Sequence, residues 1–197
     1  MAKARPIKGL DIRGNTSQNA SIIARTRLED IYAWEQHVDA PYAVRELHNM
    51  RIATKRLRYT LEVFEDYLPE ACKAAVEELQ QMQDELGAMH DSDVLIALLR
   101  LCLANQDSPL NSKAISVSEK GPHKSFLPQE LIEVMVDPQT APNAEQRYGL
   151  EQLLYQLEGE RREQYQAFRQ HWYQLQEQDF RNNLQGQLDK VKEPVTA

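Results

Sequence analysis

Cysteine is nearly absent: Cys72 and Cys102 are the only two in 197 residues. Each falls among apolar residues in a helical stretch, so the pair makes neither a disulfide framework nor a metal-ligand set, and buried reduced thiols are expected. Long apolar runs are lacking as well. No stretch reaches the length of a bilayer crossing, and the basic N-terminus MAKARPIKGLDIRGNTS carries no apolar region of the kind a secretory leader has. A cytosolic protein is expected. Positive charge is in deficit, with 23 Lys and Arg against 30 Asp and Glu, a net charge of −7 and a pI near 5.3. The average field then repels polyanions, so any anion site has to be local. Strand signals are missing too: no alternating segment or turn pair suggests a hairpin.

What is present is helical periodicity, divided by seven Gly and nine Pro. Asn15, Thr16 and Ser17 can cap a first helix, in which Ile22, Ile23, Leu28, Ile31 and Trp34 recur at helical spacing. After Pro41 a long second helix is expected from about Tyr42 to Leu68, stopped by Pro69. Cys72, Val76, Leu79, Met82 and Leu86 predict a third helix ending at Gly87, and Asp91 or Ser92 a cap for a fourth, DSDVLIALLRLCLA. Residues 15–104 thus read as a first helical bundle. Residues 105–143 are a Pro-rich connector with one short helix after Pro128, and residues 144–192 a second helical half in which Leu157, Phe168, Trp172 and Leu175 share a side. The expected class is all-α, built of antiparallel helices joined by short turns.

One segment runs against the acidic background. VRELHNMRIATKRLRYTLEVFEDYL, residues 44–68, separates on a helical projection into two stripes about a third of a turn apart at roughly 100° per residue. Leu47, Met50, Leu57, Leu61, Phe64 and Leu68 line one side, the face a bundle would bury. His48, Arg51, Lys55 and Arg58 line the other, with Tyr59 beside them, while Arg45 and Arg56 fall outside this row. From His48 to Arg58 the helix rises about 15 Å. Like charges at these spacings repel by a few tenths of a kcal/mol per pair on an isolated helix. Glu62 can pair with Arg58 and Glu46 is nearby, yet neither neutralises the upper row.

The plain reading of such a row is a solvated charged face, as most charge runs on helices are. Two features weigh against it. The rest of the surface is acidic, and ordinary faces mix signs at neighbouring positions. Arginine forks suit phosphate, and a line of donors suits a linear polyanion better than a single phosphate. His48 could join by donating to an anionic oxygen, which would favour its protonated form.

With these residues in view the chain resembles the CHAD domain, the conserved histidine α-helical domain. The resemblance rests on HNMRIATKRLRYTLEVF (48–64), similar to the family's His-x-x-Arg-Val/Ile-x-x-Lys/Arg-Arg-Leu-Arg-Tyr pattern, and on LQQMQDELGAMHDSDVL (79–95), similar to its Leu-Gly-x-x-His/Arg-Asp-x-Asp-Val element. PIKGLD, Arg27 and the late block GLEQLLYQLEGERREQYQAFRQHWYQL (149–175) also look familial, the last only weakly specific. The resemblance implies two related helical bundles that direct basic residues into a shared groove binding inorganic polyphosphate. His48, Arg51, Lys55 and Arg58 carry over first, Arg56 next, and Arg27, Arg161 and Arg162 as secondary contacts. The second half has no good copy of the His-x-x-Arg helix, so it should supply fewer cations. No Glu-x-Glu-x-Lys element of the triphosphate-tunnel type is present, which removes the main route to catalysis on phosphate. A non-enzymatic binder without cofactor is the expectation, with association with polyphosphate granules, sensing and scaffolding all open as its purpose.

His90, Asp91 and Asp93 are more economically a helix cap than a metal site. Trp34 and Trp172 are more economically core than stacking platforms. A histidine phosphotransfer module would use His48, but such modules place Gly one turn later, where this chain has Ile52. Nucleic-acid binding lacks a familiar reading helix and faces an unfavourable net charge.

Overall fold

Asn15 begins the helical structure as its sequence position suggests: its side chain accepts from the Ser17 backbone N–H at 2.8 Å, capping α1 (Thr16–Tyr32). The computed structural model describes residues 4–11, 13–104, 129–136 and 141–191. After α1 come a 3-10 turn (Glu35–His37), α2 (Val44–Val63), a second 3-10 turn (Glu65–Tyr67), α3 (Cys72–Ala104), α4 (Gln129–Val136), α5 (Ala144–Glu177) and α6 (Phe180–Asp189). The fold is all-α, and no strand occurs among the described residues. Most of the Pro-rich connector lies outside them; the short helix expected after Pro128 is α4.

Three boundaries differ from the sequence expectation. α2 stops at Val63 instead of Leu68, because Leu68 must be extended before Pro69 (φ −109°, ψ 156°) and the residues between tighten into a 3-10 turn. The predicted break at Gly87 and the predicted caps at Asp91 and Ser92 do not occur: α3 runs through all of them, and Ser92 is buried within it. A mid-helix glycine costs about 1 kcal/mol relative to alanine, which the burial of Leu79, Met82, Leu86, Met89 and Ile96 along the same helix outweighs. The last helical block is also divided. Asp179 adopts a left-handed backbone (φ 54°) that ends α5 and starts α6.

The chain resolves into two compact units, Met1–Ala88 with Gln164–Ala197, and Met89–Glu163. In the first, the core is drawn from five helices: Leu28 and Ile31 of α1, Met50, Leu57 and Leu61 of α2, Leu79, Met82 and Leu86 of α3, Phe168, Trp172 and Leu175 of α5, and Leu184 and Leu188 of α6. Trp172 is core, as its residue type suggested, with its ring 5.3 Å from that of Tyr32. Polar contacts fix how the elements dock. Ser21 and Arg25 of α1 both donate to the Leu188 carbonyl near the C-terminus of α6, where unpaired carbonyls attract donors. Arg181 pairs with Glu29 at 2.6 Å and lies over the Tyr32 ring, and burial pushes the Tyr32 phenol up to about 12. Tyr165 donates to the Val38 carbonyl, while Arg169 and Tyr173 both reach Asp39 and hold its carboxyl below the usual range, Tyr173 contributing most. Cys72 is buried and its thiol pushed up by desolvation; Cys102, expected to be buried, is only partly covered, and both are free thiols.

His171 of α5 is closely held in this unit. It is 7% exposed; its Nδ1 lies 2.8 Å from Glu85 and its Nε2 3.1 Å from Glu78, two carboxylates two turns apart on α3. Ionised carboxylates only accept, so both ring nitrogens donate when the imidazole is protonated. The Glu85 bond raises the imidazole above its ordinary 6.5, burial opposes the rise, and the Glu78 bond adds to it. A folded-state value above the unfolded one means that this clamp stabilises fully below about pH 6.5 and is lost as pH climbs through the folded value. Denaturant unfolding from about pH 6 to about pH 9 should therefore show declining stability, and His171→Gln should flatten that slope. Phe168→Ala, at a fully buried position, should cost about 3–5 kcal/mol at any pH in that window.

Candidate functional site

α2 forms because its apolar residues recur at helical steps and Pro41 breaks the chain before it. Burial then follows the projection. Leu47, Met50, Leu57 and Leu61 are buried, and the basic row, which borders that stripe, is half-buried: His48, Arg51, Lys55 and Arg58 all have intermediate exposure, as does Arg56 off the row. Long basic side chains tolerate this position by covering apolar surface with their stems while turning their heads toward water.

The heads are treated differently. Arg58, whose side chain is 15% exposed, gives Nη1 to Glu62 at 2.8 Å and Nε to Gln83 of α3 at 3.2 Å. The Tyr59 ring carries two cations, with Arg58 at 4.5 Å and Lys55 at 5.5 Å from its centroid. Lys55 has no ion pair among the described residues. Arg51 has neither ion pair nor hydrogen bond among them, and its Nε is buried. The Glu62 pairing expected from the sequence is thus present, and it neutralises one member of the row. Glu46, also considered for that role, forms no ion pair among the described residues.

α3 backs this face. Thr54 Oγ1 of α2 meets Met82 Sδ at 3.4 Å, Gln83 meets Arg58, and Gly87 lies under Arg51. From Gln83 to Gly87 the numbers on α3 rise while their partners on α2 fall from Arg58 to Arg51, so the two helices are antiparallel here. Gln83 was not singled out by sequence reasoning, and Gly87 was read only as the end of a helix. The signal that could have drawn Gly87 into view is the apolar period, which passes from Leu86 to Met89 and Ile96 without a break in phase.

The secondary candidates are placed otherwise. Arg27 of α1 donates from Nη1 to Asp30 at 2.9 Å and to the Arg5 carbonyl at 3.0 Å, and Asp30 also pairs with Arg5 at 3.2 Å, so Arg27 ties the N-terminal segment to α1. In the second unit Arg161 is buried, and its Nε and Nη2 reach the two oxygens of Asp93 at 2.9 and 3.2 Å. Arg162 is exposed. Asp93 therefore serves an ion pair between α3 and α5 instead of the helix cap read from the sequence. Among the described residues no group of three or more His, Cys, Asp or Glu side chains could hold a metal ion, and no helix is long and apolar enough to cross a membrane.

In comparison with known protein families, the model of the CHAD domain fits residues 7–100, just under half of the chain. No curated protein and no solved structure matches.

The contrast between neighbouring arginines is directly measurable. Arg161→Met strands a mostly buried carboxylate and should lower unfolding stability by about 3 kcal/mol or more. Arg162→Ala, at an exposed position, should stay within about 0.5 kcal/mol of wild type in the same denaturant experiment.

Proposed function

The chain carries a CHAD domain over residues 7–100, and from that premise we propose that it binds linear inorganic polyphosphate, without catalysis, through the basic face of α2. The observation that carries this reading is the pair Arg51 and Lys55. Both are half-buried cations on one helix face, neither has an ion pair among the described residues, and both lie in a chain of net charge −7. A cation that has lost part of its hydration without gaining a counter-charge is stabilised by any anion that reaches it. His48, Arg51, Lys55 and Arg58 lie along about 15 Å of helix, so a chain of phosphates can address several of them at once. Arg forks donate to phosphate oxygens bidentately, Lys55 adds a point charge, and His48 adds a donor when protonated. Arg56 lies on the same helix off the row. Arg27 and Arg161 contribute less in this reading, since their guanidinium groups already serve Asp30 and Asp93; Arg162 remains an exposed cation of the second unit.

Nucleic acid is disfavoured by a specific feature. Tyr59 is the aromatic of this face, and its ring already supports Arg58 and Lys55, which leaves it a poor platform for a base.

Titration of long-chain polyphosphate into the protein at several salt concentrations tests the reading. Wild-type binding should weaken as salt rises. Arg51→Ala/Arg58→Ala should bind at least about tenfold more weakly, since each removes a charge-assisted contact of about 1.5–3 kcal/mol. Equal affinity in the double variant, or displacement of polyphosphate by nucleic acid at equal phosphate concentration, overturns it. Glu62→Gln frees Arg58 from its exposed partner and should tighten binding by a fewfold, in line with about 0.2–1 kcal/mol for such a pair.

A further inference from the structure

We propose that Gly87 is a positioning residue for the anion site: its missing side chain makes the space in which the Arg51 guanidinium lies, and so sets the direction in which Arg51 presents its donors. The inference rests on the polyphosphate reading of the α2 face and goes on to name what aims that face.

Glycine at this place is not explained by backbone geometry. Gly87 lies inside α3, and positive φ among the described glycines occurs at Gly9 alone. An ordinary helical residue would fit the backbone and would favour the helix more. What a side chain would meet is Arg51. A Cβ at position 87 would stand 3.3 Å from Arg51 Nε, 3.8 Å from Nη2 and 4.0 Å from Cζ, so the guanidinium lies against the glycine. Gly149, Gly159 and Gly186, also helical, have nothing within 4 Å of such a Cβ. The buried helical glycine is therefore the one that faces a member of the basic row.

Nothing else described holds the Arg51 head. Its Nε is buried and donates to no described partner, so packing against α3 is what limits its orientation. One turn earlier on the same helix, Gln83 accepts from Arg58 Nε. α3 thus addresses two members of the row in different ways, with a hydrogen bond at Arg58 and with empty space at Arg51. Adding a methyl group at position 87 leaves charge and hydrogen-bonding groups unchanged and moves the guanidinium by a few tenths of an ångström, which bidentate contacts to phosphate register more strongly than a diffuse charge attraction does.

The test is a double-mutant cycle with Gly87→Ala and Arg51→Ala, read by polyphosphate affinity and by thermal melting. Gly87→Ala should melt at or above the wild-type temperature, because alanine is the better helix former, and yet bind severalfold more weakly. In the Arg51→Ala background the Gly87→Ala change should have no further effect on binding. Wild-type affinity in Gly87→Ala, or an equal loss in both backgrounds, overturns the positioning role while leaving polyphosphate binding intact. Failure of Gly87→Ala to fold also overturns it, since the methyl group would then be excluded by the helix packing and not by a movable guanidinium. Absence of salt-sensitive binding in the wild type is the separate result that removes the polyphosphate reading, and this role with it.

Discussion

The contact between α2 and α3 is the constraint from which the candidate site follows. α2 has to bury Leu47, Met50, Leu57 and Leu61, and α3 has to bury Leu79, Met82 and Leu86. Once those stripes meet, a basic row about a third of a turn away on α2 cannot swing free into water. It is held at the border of the core, half-covered, with α3 beneath it. Position is thus imposed on the cations by hydrophobic packing, which is far stronger than any of their own contacts. A charged row on a helix whose apolar stripe lay diametrically opposite would be an ordinary solvated face.

The arginines show how differently one side chain is used. Arg161 is enclosed and answered by both oxygens of Asp93, and Arg27 is answered by Asp30 and a backbone carbonyl. These are structural cations whose charge is accounted for within the fold. Arg58 is intermediate, since it is shared between Glu62, Gln83 and the Tyr59 ring. Arg51 lies at the other extreme, with a buried Nε and no described partner. Removing hydration without supplying a counter-charge is costly, and among the described residues nothing compensates it at Arg51. That gradient, and not the count of basic residues, separates the α2 face from the rest of the surface.

Much of this was legible in the sequence, and the parts that were not share a cause. The Asn15 cap, the all-helical class, the two stripes of α2 and the Glu62–Arg58 pair depend on residues within a few positions of one another, where periodicity and capping chemistry are reliable guides. Gly87, Asp91 and Ser92 carry strong local signals for a helix end, and they were overridden because α3 buries apolar residues on both sides of them. The left-handed turn at Asp179, the clamp of His171 by Glu78 and Glu85, and the pairing of Arg161 with Asp93 join elements or conformations that no local pattern announces. Gln83 was missed, and the place of Gly87 beside the row went unseen, for the same reason. Their relation to Arg58 and Arg51 is a matter of helix register, which a single sequence does not display.

The acidic balance of the chain argues against general attraction to anions and leaves any selection to the row on α2. Every anion approaching the α2 face meets the same repulsive average field, at a cost that rises with its charge. A single phosphate engages one or two cations and gains little against that field. A phosphate chain long enough to follow the row engages its members together, and each contact after the first is made by a ligand already held, at high effective concentration. That repulsion grows with each charge a ligand brings, so it does not itself favour long chains; on this reading any preference for length comes from the row, set against a net charge of −7. On the polyphosphate reading the Glu62 pair to Arg58 is no obstacle, since an exposed partner is readily displaced by a multiply charged chain.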